Sequence, residues 1–134
     1  RDLWLILHEM VAQGVTVFLS TAYMDEAERC DHVALLDKGK VIALDRPEAL
    51  QRSLGGQMLA LRVSDSRKAV RLLRQTAGVR RAAIFGERIH VTLGSREHDW
   101  PLARAALAAD GVELAEVQDA EPSLEDVFID RVTA

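Results

Sequence analysis

Three acidic side chains in one short stretch come closest, by type and spacing, to residues that could do chemistry. Asp25, Glu26 and Glu28 lie within a single turn or so of a predicted helix, and carboxylate oxygens are ligands that Mg²⁺ prefers. Acids grouped in this way on a short helix are also typical of a solvated surface. The second interpretation is favoured, so this stretch is not predicted to bind a metal.

The other metal-binding and nucleophilic residue types are scattered. The histidines show no metal-ligand spacing, and two of them, His90 and His98, are expected at the surface. Cys30 is the only cysteine, which excludes an internal disulfide and the two-cysteine zinc motifs. The sequence therefore predicts no metal site and favours a reducing, cytosolic setting.

Composition limits the possible partners. The 134 residues are 49% hydrophobic, which is enough to bury a core, and the formal net charge is −4. Lys and Arg are interspersed with acids, so the chain lacks the basic footprint that nucleic-acid binding needs. No apolar run approaches the roughly 20 residues of a membrane helix. Any work at a membrane is expected to be done from the aqueous side.

The first 54 residues show the pattern of a parallel α/β unit. A helical apolar stripe over residues 1–13 ends at Gly14 and leads into residues 15–19, a β-branched and apolar run typical of a buried strand. Arg1 begins directly in the helical pattern, which favours a start inside a domain. A short helix over residues 24–29 follows.

A hairpin and a helix complete this first part. Two strand-like runs, residues 33–36 and 41–44, are separated by residues 37–40, which include a glycine suited to a tight turn. Pro47 can open a helix that reaches about Leu54. Gly55 and Gly56 are then predicted to be a linker at a domain boundary.

Beyond the linker the predicted order is strand, helix, strand, strand, helix, strand. This is the ferredoxin-like arrangement of an antiparallel sheet with two helices on one face, expected over residues 57–119. In the last strand, Leu114 and Val117 can both face inward only if the strand contains a bulge. A final helix is expected within residues 120–134, where Ser123 and Asp126 have capping-box spacing.

Two stretches carry a resemblance to a known family. Residues 15–50 read VTVFLSTAYMDEAERCDHVALLDKGKVIALDRPEAL. They resemble the part of an ABC ATPase that follows its ATP-hydrolysing acidic strand, with a switch loop, an M-D-E-A-E helix, a Cys-Asp pair and a V-A-L-L-D-x-G-x-V-I hairpin. Residues 121–129, EPSLEDVFI, resemble the C-terminus of the subfamily that powers drug, antibiotic and polysaccharide exporters.

The resemblance implies a fold and a setting. Residues 1–54 would be the C-terminal part of an α/β ABC ATPase domain, followed by an α+β accessory domain. The intact protein would bind ATP and Mg²⁺ and would work with a membrane-spanning permease and a second ATPase half. It would lie on the cytoplasmic side of the inner or plasma membrane.

Within this chain the motifs for ATP chemistry are missing. A phosphate-binding loop has the form G-x-x-x-x-G-K-[ST], whereas Gly39-Lys40 is followed by Val41 and preceded by Ala34 at the position of the first glycine. The fragment alone is therefore expected to bind no cofactor and to hydrolyse no ATP.

Ala22, between Thr21 and Tyr23, is the sharpest departure from the family pattern. The resemblance places the switch histidine at this position, and a methyl group offers neither a hydrogen-bond donor nor a charge. The intact protein is therefore expected to have a weak or inactive nucleotide site. The alternative is that the acidic strand sustains catalysis without help from this position.

A second hypothesis belongs to a different functional class. Residues 57–134 would form a regulatory or dimerising module, since small ferredoxin-like domains often bind a ligand or pair through their sheets. Self-association is also expected because residues 15–19 need parallel neighbours that the chain does not supply.

Overall fold

A computed structural model describes residues 2–133 and contains two antiparallel sheets. The helices are α1 (Asp2–Ala12), α2 (Met24–Ala27), α3 (Pro47–Arg52), α4 (Ser66–Arg74), α5 (Arg96–Ala109) and α6 (Leu124–Thr133). The strands are β1 (Val33–Asp37), β2 (Lys40–Asp45), β3 (Gln57–Val63), β4 (Val79–Phe85), β5 (Arg88–Leu93) and β6 (Leu114–Ala120). No helix within residues 2–133 is long and apolar enough to cross a membrane.

Helix α1 ends as the sequence predicts, but its apolar face is not buried. Gly14 adopts a φ of 91°, and the N–H groups of Gly14 and Val15 donate to the carbonyls of Val11 and Met10, which is a Schellman cap. No α1 residue is buried, and Leu5 is 63% exposed. The prediction of one buried helix face is therefore wrong for the described chain.

The strand predicted over residues 15–19 is absent. This segment is extended but unpaired, and Phe18 is 97% exposed. A buried parallel strand needs neighbours on both sides to satisfy its backbone groups, and no described strand pairs with this segment. The parallel α/β unit is thus wrong as a description of the folded residues 2–133, which contain only antiparallel pairs.

The predicted hairpin is confirmed as β1 and β2. Lys38 and Gly39 both have positive φ angles, 52° and 77°, between the paired residues Asp37 and Lys40. Two successive positive φ angles define a type I′ turn, whose twist matches the strands it joins. The hairpin packs in a small core, termed here the hairpin core, whose buried members are Val33, Leu35, Leu50, Leu54, Leu124 and Val127.

The four-stranded sheet has the order β4-β5-β3-β6 and the chain order β-α-β-β-α-β. Both α4 and α5 pack on its inner face, because buried residues of both helices share one cluster with β3 and β5. This cluster, the sheet core, contains Leu59, Leu61, Ala69, Val70, Leu73, Ala82, Ile89, Val91, Leu93, Ala103, Leu107 and Val112.

The bulge predicted in the last strand is present. Arg62 pairs with Glu116 and Val63 pairs with Leu114, so Ala115 is the extra residue of β6. The extra residue lets Leu114 and Val117 both pack against the sheet core. Helix α5 begins after Ser95, whose side chain caps it by accepting a hydrogen bond from the His98 N–H.

Candidate functional site

The segment around Ala22 is an ordered turn that precedes α2. The Thr21 hydroxyl accepts a hydrogen bond from the Tyr23 N–H at 3.0 Å and donates one to Glu26 Oε1 at 2.7 Å. Tyr23 is 70% exposed and Ala22 is also exposed. The Thr21 hydroxyl and the Glu26 carboxylate of this turn are therefore hydrogen-bonded to each other. The Ala22 methyl group is exposed to solvent and offers no polar group.

Two of the acids in and just after α2 are hydrogen-bonded rather than solvated. Glu28 Oε2 accepts hydrogen bonds from the backbone N–H of Leu124 at 2.9 Å and from Gln51 Nε2 at 3.3 Å. Glu26 is bonded to Thr21, and only Asp25 is exposed. The surface interpretation is thus wrong for Glu26 and Glu28. Within residues 2–133 no group of three or more His, Cys, Asp or Glu side chains is arranged to hold a metal.

Helix α6 begins with the capping box that the sequence predicts. Asp126 Oδ2 accepts hydrogen bonds from both the N–H and the hydroxyl of Ser123, each at 2.8 Å, and the Asp126 N–H donates to the Ser123 hydroxyl at 3.3 Å. The Glu28 carboxylate completes this N-terminus by accepting from Leu124. Negative side chains placed here also interact favourably with the positive end of the helix dipole.

His90 lies in a contact that the sequence did not reveal. Its Nδ1 is 2.8 Å from Asp126 Oδ1, and its ring stacks on Phe85 with centroids 4.2 Å apart. The predicted surface position is therefore wrong, because α6 covers this part of the sheet. Burial raises the pKa of Asp126, but the hydrogen bonds from His90 and Ser123 outweigh burial and hold the pKa below its ordinary value.

Arg81 makes a second contact between the sheet and the hairpin core region. Its guanidinium donates to the Leu54 carbonyl and lies 3.5 Å from Asp130 of α6. Arg81 is therefore partly buried. Arg88 is half-buried and pairs with Glu116 on the outer face of the sheet at 3.1 Å.

Helix α6 therefore joins two regions. Its Leu124 and Val127 complete the hairpin core, its Asp126 and Asp130 contact the outer face of the four-stranded sheet, and its first N–H is held by Glu28 of α2. Pattern reasoning found the helix and its cap but missed these contacts. They depend on which elements meet in space, and a single charged residue carries no local signal of a distant partner.

The Gly39-Lys40 pair does not form a phosphate-binding loop. The Gly39-Lys40 pair lies in the β1–β2 turn, where Gly39 joins two antiparallel strands rather than a strand and a helix. A phosphate loop needs successive backbone N–H groups at a helix N-terminus. No step of ATP chemistry is therefore assigned to the side chains described here.

Sequence comparison decides the family. The family described as "ATP-binding protein DrrA1-3-like, C-terminal domain" matches residues 46–132. The chain belongs to this family. The match begins at the residue before α3 and extends over the sheet core into the last turn of α6.

The curated relatives are ATP-binding subunits of exporters. Nod factor export ATP-binding protein I of Rhizobium leguminosarum is 36% identical over 130 residues, covering 95% of this chain and 39% of that protein. The daunorubicin/doxorubicin resistance ATP-binding protein DrrA of Streptomyces peucetius is 34% identical over 136 residues, covering 96% and 40%.

A third relative shows how much longer these proteins are. The probable multidrug ABC transporter ATP-binding protein YbhF of Escherichia coli is 27% identical over 132 residues, which cover 97% of this chain and 22% of YbhF. The chain thus spans between about a fifth and two fifths of the length of these relatives.

Proposed function

We propose that this chain is the C-terminal part of the ATP-binding subunit of an ABC exporter. The family match over residues 46–132 carries the proposal, and the ordered string from residue 15 to residue 50 supports it. In the intact subunit, ATP and Mg²⁺ are bound by segments outside this chain, and the chain contributes the switch segment and the accessory sheet.

The switch segment of this subunit is degenerate. Ala22 occupies the position of the switch histidine, between Thr21 and Tyr23. The contacts of Thr21 support this assignment, because they fix the turn while leaving the Ala22 methyl group directed away from the fold. Without an imidazole the site lacks one group that would contact the terminal phosphate and hold the attacking water.

The experiment is Ala22→His in the full-length protein. Restoring one preorganised polar group to a site where charge develops is expected to raise steady-state ATP turnover by about tenfold or more. Ala109→His, at the exposed end of α5, is the matched control and is expected to leave turnover unchanged. ATP affinity should change little in either variant. Equal ATP turnover in the parent protein and the Ala22→His variant would contradict the proposal that the switch segment is degenerate.

The partners follow from the exporter assignment. The intact subunit docks on a membrane-spanning permease from the cytoplasmic side, and it pairs with a second ATPase half that is competent in hydrolysis. The relatives named for drug and Nod factor export support this setting. Co-purification of the full-length protein with a permease encoded beside it is the direct check.

The accessory region is ferredoxin-like, with residues 57–119 as its body, residues 55–56 as the linker and residues 120–134 as the C-terminal helix. The strand order β4-β5-β3-β6 and the placement of α4 and α5 on one face support this assignment. Limited proteolysis is expected to cut first near the glycine pair or before α2, and to leave the four-stranded sheet intact.

A second candidate function is a regulatory or dimerising module formed by residues 57–134. The free edges of β4 and β6 favour it, since edge strands present unpaired backbone groups. The exposed apolar residues of α1 and residues 15–19 also favour self-association of the isolated chain. Light scattering of the nucleotide-free chain tests this, because a clean monomer contradicts self-association.

A further inference from the structure

A cleft lies between α6 and the outer face of the four-stranded sheet. It has a volume of about 410 Å³, within the range typical of small-molecule sites. Its lining comes from α4, β3, β4, β5 and α6, together with Leu54 just before the linker. The buried residues of α4 and α5 pack in the sheet core on the opposite face of the sheet, so they do not fill this cleft.

The cleft carries an excess of positive charge. Arg74, Arg80 and Arg81 line it, against the two carboxylates of Asp126 and Asp130. Asp126 is already bonded to His90 and Ser123, and Asp130 is paired with Arg81. Within residues 2–133 neither Arg74 nor Arg80 has an acidic partner. Neither guanidinium forms an ion pair, although Arg74 Nε donates to the Ala82 carbonyl at 3.1 Å and the Asp99 carboxylate lies with Arg80 beside Gly94.

The Arg80 side chain packs beside two glycines. Its guanidinium nitrogens lie 3.6 Å and 3.7 Å from the point where a Cβ of Gly94 would be, and 3.6 Å from the corresponding point at Gly55. In addition, Arg81 Nε is buried without a hydrogen-bond acceptor, so the arginine cluster retains a donor that the protein does not satisfy.

Part of the remaining wall is apolar. Leu54, Met58, Ala82 and Ile129 contribute aliphatic surface, and the stacked rings of Phe85 and His90 provide an aromatic platform. Guanidinium groups bind planar anions through paired N–H donors, and aromatic faces favour flat apolar groups. The cleft therefore combines one recognition element for an anion with one for an apolar ring.

We propose that this cleft binds a small organic anion with a flat apolar body, its charge held by Arg80 and Arg74 and its body against Phe85 and the aliphatic wall. The site is separate from the switch segment, and it does not depend on ATP being bound. A ligand here contacts α6 directly, so its effect on the molecule is expected to be exerted through the helix that joins the two regions.

Isothermal titration of the nucleotide-free, full-length protein with 2-naphthoate tests the proposal. Two further probes separate its parts: 2-naphthamide keeps the ring and removes the charge, and inorganic phosphate keeps a charge and removes the ring. We expect saturable 1:1 binding of 2-naphthoate, with both other probes weaker by about tenfold, the value of one charge-assisted hydrogen bond.

Matched variants locate the site. Arg80→Gln is expected to weaken 2-naphthoate binding by about tenfold, whereas Arg104→Gln, the same charge change on the exposed face of α5, should leave it within about twofold. Ala83→Leu, which extends a side chain of the cleft wall into the cavity, should abolish binding and serves if Arg80→Gln does not fold.

Four results would overturn the proposal. Three are an absence of 2-naphthoate binding, equal affinity for 2-naphthoate and either of the other probes, and equal losses of affinity in the Arg80→Gln and Arg104→Gln variants. Retained binding in a folded Ala83→Leu protein would move the site elsewhere and would also overturn it.

Discussion

Apolar side chains are well buried in residues 57–120 and largely exposed in residues 2–32. The four-stranded sheet and its two helices enclose a continuous core in which Leu59, Leu61 and Ile89 are completely buried. Helix α1 has no buried residue, and Phe18 is 97% exposed although the surrounding segment is equally apolar. Hydrophobic content alone does not make a core, because each element also needs partners that satisfy its backbone.

The less buried region contacts the rest through the start of α6 and the hairpin core. Glu28 accepts a hydrogen bond from the first N–H of α6, and Met24, Ala27 and Cys30 pack against the hairpin core. The sheet region also contacts α6, through His90 and Arg81. A single helix thus receives contacts from both sides, and the stability of the two regions should respond differently to substitution.

The largest expected difference is between two leucines in strands. Leu61 in β3 is completely buried, whereas Leu44 in β2 is 69% exposed. Leu61→Ala is expected to lower the free energy of unfolding by about 3 kcal/mol through lost burial and a residual cavity. Leu44→Ala should change it by less than about 0.5 kcal/mol.

Urea unfolding followed by circular dichroism measures both variants. If Leu44→Ala is as destabilising as Leu61→Ala, the exposure of an apolar side chain does not set its contribution to stability, and the comparison of burial between the regions loses its basis.

A smaller effect is expected at the contact between the two regions. Asp126→Ala removes the helix cap and the partner of His90 together, and should cost about 2 kcal/mol. Glu125→Ala, at the next position on the exposed side of the same turn, is the control and should stay within about 0.5 kcal/mol. If both variants lose a similar amount of unfolding free energy, the helix cap and the contact with His90 do not hold α6.

The smallest expected effect is a dependence on pH. The pKa of Asp126 lies below its value in the unfolded chain, about 3.9, so the folded state favours the ionised carboxylate. Its stabilisation is fully present above the unfolded pKa and is lost as the pH falls through the folded pKa. Asp126→Asn should therefore flatten the fall of the unfolding free energy below about pH 4. If the unfolding free energy falls with the same slope in the variant, the loss of stability in acid comes from other carboxylates.

Sequence patterns predicted most of the local structure, for identifiable reasons. The β1–β2 turn, the bulge at Ala115 and the Ser123–Asp126 capping box follow from residue types at short spacing, where the physical cause is local. Residues 15–19 have an equally clear strand pattern but form no strand, because pairing depends on partners elsewhere.

The site was less predictable than the fold. The switch position at Ala22 stays a prediction from the string around it. The contacts of Glu28, His90 and Arg81 could not be predicted, because their partners lie 23 to 96 positions away in sequence. His90 was expected at the surface, and no local pattern indicates that α6 covers it.

Hydrogen exchange, compared between this chain and the full-length protein, tests the central proposal that residues 2–20 belong to an ABC ATPase domain completed by the rest of the protein. In the isolated chain we expect fast exchange at residues 15–19 and slow exchange in β3 and β5. In the full-length protein, residues 15–19 should become strongly protected while β3 and β5 change little. Equally fast exchange of residues 15–19 in both proteins would contradict the account.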